Sequence, residues 1–301
     1  MIDKCESITV GLPTYNRGDQ LRKSLNSLLI QTYSNMSVIV SDNNSTDNTK
    51  TICNKFKKQI KNFQYFKQKS NIGALNNFEF LFEKCKTKYF MWLADDDYID
   101  QNYISKCMRY HLIDEFALVS GIPIYYQGGI KQFKASPIQL LETNNLKRTI
   151  KFFNLTRDNG VFYGVYNKEL IKSINIPLTW AGDQIFIGHV AYRGKIKTNI
   201  NTRIHRSLDG TSQSIKKVVK TFSLHPINIY LPHVVMSYDI YKYFNNYVEV
   251  SKYNSFLIAV AYTKKTAHYW FIVPMTNLLE IIAPTFLLKM KRIILLIKQK
   301  I

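Results

Sequence analysis

Along the first hundred positions the apolar residues fall into two alternating rhythms. Ser7-Ile8-Thr9-Val10-Gly11-Leu12 reads as a buried strand, which Pro13-Thr14-Tyr15-Asn16 breaks. Leu21, Leu25, Leu28 and Leu29 then recur at helical spacing, and Asp19 is placed to cap that helix. A second strand, Ser37-Val38-Ile39-Val40-Ser41, runs into Asp42-Asn43-Asn44-Ser45-Thr46-Asp47. Ile52, Phe56 and Ile60 mark a second helix, for which Ser45 or Asp47 is the expected cap. A third strand is predicted at Phe63-Gln64-Tyr65-Phe66, and Leu75, Phe78, Leu81, Phe82 and Cys85 form a third helical stripe. The strand Tyr89 to Leu93 then ends in three consecutive carboxylates, Asp95, Asp96 and Asp97.

Strand and helix in this alternation predict an α/β fold with a mostly parallel sheet covered on both faces. In such sheets ligands bind outside the carboxyl ends of the strands. The clusters Thr14–Arg17, Asp42–Asp47 and Asp95–Asp97 all follow strand ends, so they are expected to meet in one crevice. A run of like charges after a buried strand is either a solvated turn or a site completed by a cation.

The middle of the chain is less regular. Ile122 to Tyr126 and Ile130 to Phe133, joined through Gln127-Gly128-Gly129, predict a hairpin. Gly182-Asp183-Gln184 opens an apolar helix ending near Gly194, and a strand from Lys195 to Ile204 leads into the polar run His205 to Ser212. The last third is helical and rich in aromatic residues. Tyr269 to Leu288 approaches the roughly 20 apolar residues that span a bilayer, but Glu280, Pro274 and Pro284 interrupt it. The interleaved Lys289, Lys291, Arg292, Lys298 and Lys300 fit a helix lying on an anionic membrane surface; a packed helical cap with a solvated tail is the other reading.

Composition sharpens part of this. The chain has 301 residues, 46% hydrophobic, enough for one large domain or a domain with an appendage. Cys5, Cys53, Cys85 and Cys107 lie far apart without a CxxC pair, which predicts reduced core thiols in a cytosolic protein. The start of the chain lacks the pattern of a signal peptide. A net charge of +20 suggests an anionic partner, although a genome biased toward Lys, Asn and Ile produces the same excess.

Four stretches now coincide in order: "TVGLPTYNR" (Thr9–Arg17), "QTYSNMSVIVSDNNSTDNT" (Gln31–Thr49), "NIG" (Asn71–Gly73) and "LADDDY" (Leu93–Tyr98). Together they resemble the inverting family 2 glycosyltransferases of the GT-A fold, the Rossmann-like fold of nucleotide-diphospho-sugar transferases. The resemblance is clear over about residues 7 to 100 and weaker to about 212. It implies a GT-A domain over residues 1–212, with a nucleotide-sugar half at about 1–100 and an acceptor half at about 101–212. Residues 213–301 form a helical, basic region expected at a membrane surface.

The resemblance also implies roles. Asp97 takes the place of the family's metal ligand, Asp96 lies near the ribose and Asp95 is an extra carboxylate. Mn2+ or Mg2+ is the expected cofactor, since both prefer oxygen donors. Asp42 and Asn43 stand where the family usually has two acids, one contacting the base; Asn43 carries no charge, which leaves uridine and thymidine both open. Pro13, Tyr15 and Arg17 sit in the nucleotide loop, Arg17 as a phosphate partner or a solvated cation. Asn71 and Gly73 flank the base and sugar or form a plain turn. Asp47 reads as a helix cap. Asp183 matches the catalytic base, although Gly182 replaces the first acid of the family's usual pair and an Asp there also caps a helix. His205 stands where some members complete the metal shell, with Arg203 and Arg206 as candidates to grip the diphosphate. Trp180 is a sugar platform or core.

The implied activity is transfer of a sugar from a nucleoside-diphosphate sugar, UDP or dTDP, to a hydroxyl of a lipid-linked or cell-surface glycan. The implied location is cytoplasmic, peripheral on the inner face of the cell membrane, with no nucleic acid partner. A nucleotidyltransferase would show a Gly-rich basic loop after the first strand, which "GLPTYNRGDQ" is not. A binder of anionic polymers fits the charge but not the acidic crevice, since carboxylates repel phosphates unless a metal intervenes.

Overall fold

The computed structural model describes residues 6–210 and 214–267. In chain order the first part of the fold is β1 (Ile8–Thr14), α1 (Gly18–Leu29), β2 (Met36–Asp42), α2 (Thr49–Lys57), β3 (Phe63–Lys67), α3 (Ala74–Lys84) and β4 (Tyr89–Trp92). There follow β5 (Tyr98–Ile99), α4 (Tyr103–Ile113), β6 (Phe116–Gln127), β7 (Ile130–Lys134), β8 (Gln139–Leu140) and α5 (Asn145–Leu155). A 3-10 turn at Gly160–Tyr163 precedes β9 (Val165–Asn167), α6 (Lys168–Ile171), α7 (Gly182–Arg193) and β10 (Lys195–Ser207). The remaining helices are α8 (Ile215–Thr221), α9 (Ile227–Tyr230), α10 (Pro232–Tyr247) and α11 (Lys252–Thr266).

The strands form one sheet in the order β3-β2-β1-β4-β9-β6-β10-β5, with β7 on β6 and β8 on β10. The first four are parallel, as expected of strand–helix alternation. β9 then runs antiparallel between β4 and β6, and β10 returns parallel to β6. The long ladders are parallel and the antiparallel ones are short, so the sheet is mostly parallel.

Period-2 burial explains the layers. Val10, Leu12, Val38, Val40, Met91 and Leu93 face Leu21, Leu25 and Leu28 of α1 and Ile52, Cys53 and Phe56 of α2. On the opposite face Trp92 stacks on Phe162 with ring centroids 5.1 Å apart and on Phe82 at 5.6 Å, and its indole N–H donates to the Phe78 carbonyl. Pro13 fits inside β1 because Gly11, which accepts from Leu93 N–H, faces β4, and alternation turns Pro13 the same way. β4 pairs only as far as Gly11, so no ladder bond is lost at Pro13.

Several expectations need amendment. Asp19 does not cap α1; it is exposed beside Arg22, and Asp47 from the next loop accepts from Gly18 N–H at 2.9 Å. Asp47 also accepts from Thr49 N–H at 3.0 Å, so one carboxylate closes the starts of α1 and α2. The hairpin forms with Gly128 and Gly129 both at positive φ, the geometry of a tight two-residue turn. β10 continues to Ser207, three residues beyond the expected end, because Arg203–Ser207 resume pairing with Ile122–Tyr126 after a bulge at Ile200–Thr202. Gly121 lies against that bulge, where a Cβ would come within 2.5 Å of the Tyr103 ring.

The chain divides into two compact units. The first holds the sheet and α1 to α7; the second gathers residues from Ser214 onward with Thr179–Ala181. Trp180 belongs to the second, its indole N–H donating to Pro232 O and its ring edge-on to His233. On α11, Ser255, Ile258, Ala259, Tyr262 and Thr266 are buried while Tyr253, Phe256 and Val260 are exposed. No helix among the described residues is long and apolar enough to cross a membrane. Tyr269–Leu288, the basic tail and Cys5 lie outside the described residues; Cys53, Cys85 and Cys107 are buried and free.

Burial pushes the His111 imidazole down to about 4, its Nε2 lying 3.0 Å from the Val165 carbonyl. The unfolded chain therefore takes up a proton between pH 6.5 and 4 that the fold refuses, and stability falls as the pH drops through that window. Urea unfolding should show wild type losing more stability between pH 7 and 5 than His111→Gln. Equal losses would assign the effect elsewhere.

Candidate functional site

The acidic turn after β4 is held from beneath by α1. The Ser24 hydroxyl, fully buried, lies 2.9 Å from Asp95 O and 2.6 Å from Asp97 O. Gln31 adds its amide to Asp100 O at 2.9 Å. The backbone of the turn is thus fixed by α1 and the residues just after it, and the three carboxylates have little freedom to move apart.

Two arginines answer their charge from opposite sides. Arg17, after β1, places Nη1 3.2 Å from Asp95 and 2.9 Å from Asp96. Arg206, on β10, places Nε 2.9 Å from Asp97 Oδ2, and Ser207 N–H donates to Asp97 Oδ1 at 2.9 Å. The Arg206 guanidinium also lies 4.3 Å from the centroid of the Tyr163 ring. Three carboxylates against two guanidiniums leave an excess negative charge. Burial and the neighbouring Asp96 push Asp95 up to about 7, although Arg17 opposes the shift. Burial likewise carries Asp97 up to about 6 against the pull of Arg206. Burial alone would lower Arg206, but Asp97 holds it well above its ordinary value.

From Arg206 the network continues. Its Nη1 donates to Asn159 Oδ1 at 2.6 Å, and the Asn159 amide donates to Asp183 Oδ2. Asp183, at the start of α7, accepts from Gln184 N–H on its other oxygen at 2.8 Å. Burial raises its carboxyl above the usual range, with both hydrogen bonds opposing. Asp97, Arg206, Asn159 and Asp183 thereby form one continuous hydrogen-bonded chain. Gly210, just after β10, comes near as well: a Cβ there would lie 3.0 Å from Asp96 Oδ2.

A second cluster lies after β2. Asp42 is fully buried, accepting from Ser45 N–H at 2.7 Å and from the Tyr65 hydroxyl at 2.6 Å. Asn43 donates to Asn71 Oδ1 at 2.8 Å and accepts from Ile72 N–H at 2.8 Å. Asn71 accepts in turn from Gly73 N–H, and Gly73 has φ +83°, a conformation that favours glycine. Tyr15 is exposed beside this cluster's Asn16, which accepts from Thr46 N–H.

The expected residues therefore separate into groups. Arg17, Asp95 and Asp96 come together, as do Asp42, Asn43, Asn71 and Gly73, and Asp183 is joined to Asp97 through Arg206 and Asn159. His205 does not join Asp97. Its Nε2 lies 2.9 Å from Asp100 and its Nδ1 3.1 Å from the Tyr126 hydroxyl, while its ring stacks on Tyr98 at 4.4 Å. The reason is strand alternation: within β10, Arg206 shares the buried side of Ile204, and His205 points the other way. Asn159 and Ser24 were not anticipated from sequence. The parity of Thr202, Ile204 and Arg206 was a readable sign that Arg206 points inward.

The donor set suits a hard divalent cation, being all carboxylate and carrying excess negative charge. Among the described residues no three His, Cys, Asp or Glu side chains converge on one point.

Asp97 is 1% exposed, so removal of its partner leaves a buried charge. Arg206→Met should lower unfolding stability by about 3–5 kcal/mol. Adding Asp97→Asn should recover much of that loss, as measured by urea unfolding; strictly additive losses would show that the pair is not coupled.

The family model for "Glycosyl transferase family 2" matches residues 9–174, more than half of the chain. The GalNAc(5)-diNAcBac-PP-undecaprenol beta-1,3-glucosyltransferase of Campylobacter jejuni is 24% identical over 189 residues, 62% of this chain and 60% of that enzyme. The chain spans between 17% and 60% of the length of the first curated relatives it matches. Residues 1–349 of TarS from S. aureus share the fold at a TM-score of 0.65 and 17% identity, over 90% of this chain and 74% of that one. The same protein is known in complex with UDP and with UDP-GlcNAc. The mannosyltransferase PcManGT of Pyrobaculum calidifontis, in complex with GDP-Man and Mn2+, aligns at 0.58 with 14% identity, over 97% of this chain and 81% of that one. The chain belongs to glycosyltransferase family 2 and has a GT-A fold.

Proposed function

We propose that the enzyme transfers a sugar from a UDP-sugar, with dTDP as the other candidate nucleotide, to a hydroxyl of a lipid-linked or cell-surface glycan, inverting the anomeric centre. The observation that carries this reading is the hydrogen-bonded chain from Asp97 to Asp183, which sets a carboxylate on each side of one crevice. The nucleoside end lies toward Asn43, Asn71, Gly73, Pro13 and Tyr15. Asp42 shapes that end through Tyr65 rather than by an open carboxylate. The diphosphate would take Arg17 as a partner by displacing its ion pairs with Asp95 and Asp96, with Asp96 then beside the ribose.

Mn2+ or Mg2+ would be held by Asp97 and Asp96 together with diphosphate oxygens. When bound it neutralises charge developing on the leaving diphosphate. Arg17 and Arg206 are the cations this chain itself supplies for the same purpose. Asp183 receives the proton of the acceptor hydroxyl as that oxygen attacks the anomeric carbon, and its raised affinity for a proton suits the role. The acceptor class is supported by the undecaprenol-linked glycan in the name of the Campylobacter relative.

Peripheral contact with an anionic membrane on the cytoplasmic side belongs to the same reading. The exposed stripe Tyr253, Phe256 and Val260 on α11, flanked by exposed Lys252 and Lys264, supports it.

Calorimetry with UDP, dTDP and GDP, with and without Mn2+, tests the donor site. Wild type should bind UDP or dTDP in a Mn2+-dependent manner, Asp97→Ala should lose that dependence, and Asp183→Asn should bind normally. Metal-independent binding by wild type, or binding of GDP alone, would sink the donor assignment. For the membrane, the full chain should sediment with phosphatidylglycerol vesicles and not with phosphatidylcholine; equal behaviour on both would remove the electrostatic contribution.

A further inference from the structure

The residue that joins the two halves of the crevice has no assigned role. Asn159 lies just before the 3-10 turn, in a loop pinned by its neighbour: Asp158 accepts from Gly160 N–H at 2.8 Å and from the Tyr125 hydroxyl at 2.6 Å. The side-chain orientation of Asn159 is fixed by chemistry. Arg206 has only donors, so the atom 2.6 Å from its Nη1 must be the amide oxygen. The amide NH2 is then directed at Asp183 Oδ2. Swapping the two amide atoms would set a donor against a guanidinium and an acceptor against a carboxylate, breaking both contacts.

Asp183 is therefore clamped at two points, by Gln184 N–H on Oδ1 and by Asn159 on Oδ2. The first clamp comes from the next residue of its own helix. The second comes from another segment and is oriented by Arg206, which is itself set by Asp97. We infer that Asn159 is a positioning residue: it holds the Asp183 carboxylate ionised and aimed across the crevice, and it ties that aim to the Arg206–Asp97 pair on the donor side.

The inference rests on Asp183 serving as the base, and two variants keep the two ideas apart. Asn159→Asp retains an oxygen for Arg206 but lacks the N–H for Asp183, so a purely structural role in holding Arg206 survives it. Asp183→Asn tests the base itself. The reaction measured is UDP release from UDP-GlcNAc or UDP-glucose with water as acceptor, alongside UDP affinity by calorimetry and a crystal structure of Asn159→Asp.

The expected result is a fall in kcat of about two orders of magnitude in Asn159→Asp, with UDP affinity within twofold of wild type. Because an N–H donor favours the ionised carboxylate, its loss should also move the acid limb of the kcat–pH profile upward. In the crystal the Asp183 carboxylate should turn away from residue 159. An inactive Asp183→Asn beside an Asn159→Asp of normal kcat, unshifted profile and unmoved Asp183 would overturn the role of Asn159 alone. An active Asp183→Asn would overturn both.

Discussion

The link between the acidic turn and Asp183 depends on the ion pair between Asp97 and Arg206. Three adjacent carboxylates at the end of a buried strand repel one another, and two of them are almost without solvent. Water cannot screen them, so the protein must supply cations at short range. Arg17 answers from the loop after β1, close along the sheet. Arg206 comes from β10, on the far side of β9 and β6 in the sheet order. The Asp97 pair thus joins the parallel half of the sheet to the mixed half, and it can form only if the sheet closes in register.

That requirement accounts for the irregularities of β10. The bulge at Ile200–Thr202 lets the strand resume pairing with β6 and reach three residues farther toward the acidic turn. Gly121 accepts the bulge where any larger residue would strike Tyr103 or the Thr202 backbone. The extension delivers both the Arg206 side chain and the Ser207 N–H to the same carboxylate. A strand stopping at Ile204 would deliver neither.

This also explains what was readable from sequence. The β1–β4 half is encoded locally: buried strand runs, helical stripes such as Leu21–Leu25–Leu28, and polar clusters at strand ends need no distant partner to be recognised. The short β9 has no such signature, since its three residues become a strand only between β4 and β6. The roles of His205 and Arg206 turned on one residue of parity. Motif position favours His205, while the alternation with Thr202 and Ile204 points Arg206 inward. Asn159 carries no signal at all, because its importance is the coincidence in space of two groups 47 and 24 residues away in sequence.

The charge of the chain acquires a different meaning beside this site. A net +20 suggests a basic binding surface, yet the crevice is rich in carboxylates and its two arginines are already committed to them. Part of the excess lies in the second unit, where between Ser214 and Ala267 seven lysines stand against Asp239 and Glu249. A diffuse positive field of this kind raises the local concentration of anionic ligands without contacting them. Such a field is no substitute for cations at contact distance, which the buried carboxylates of the acidic turn require.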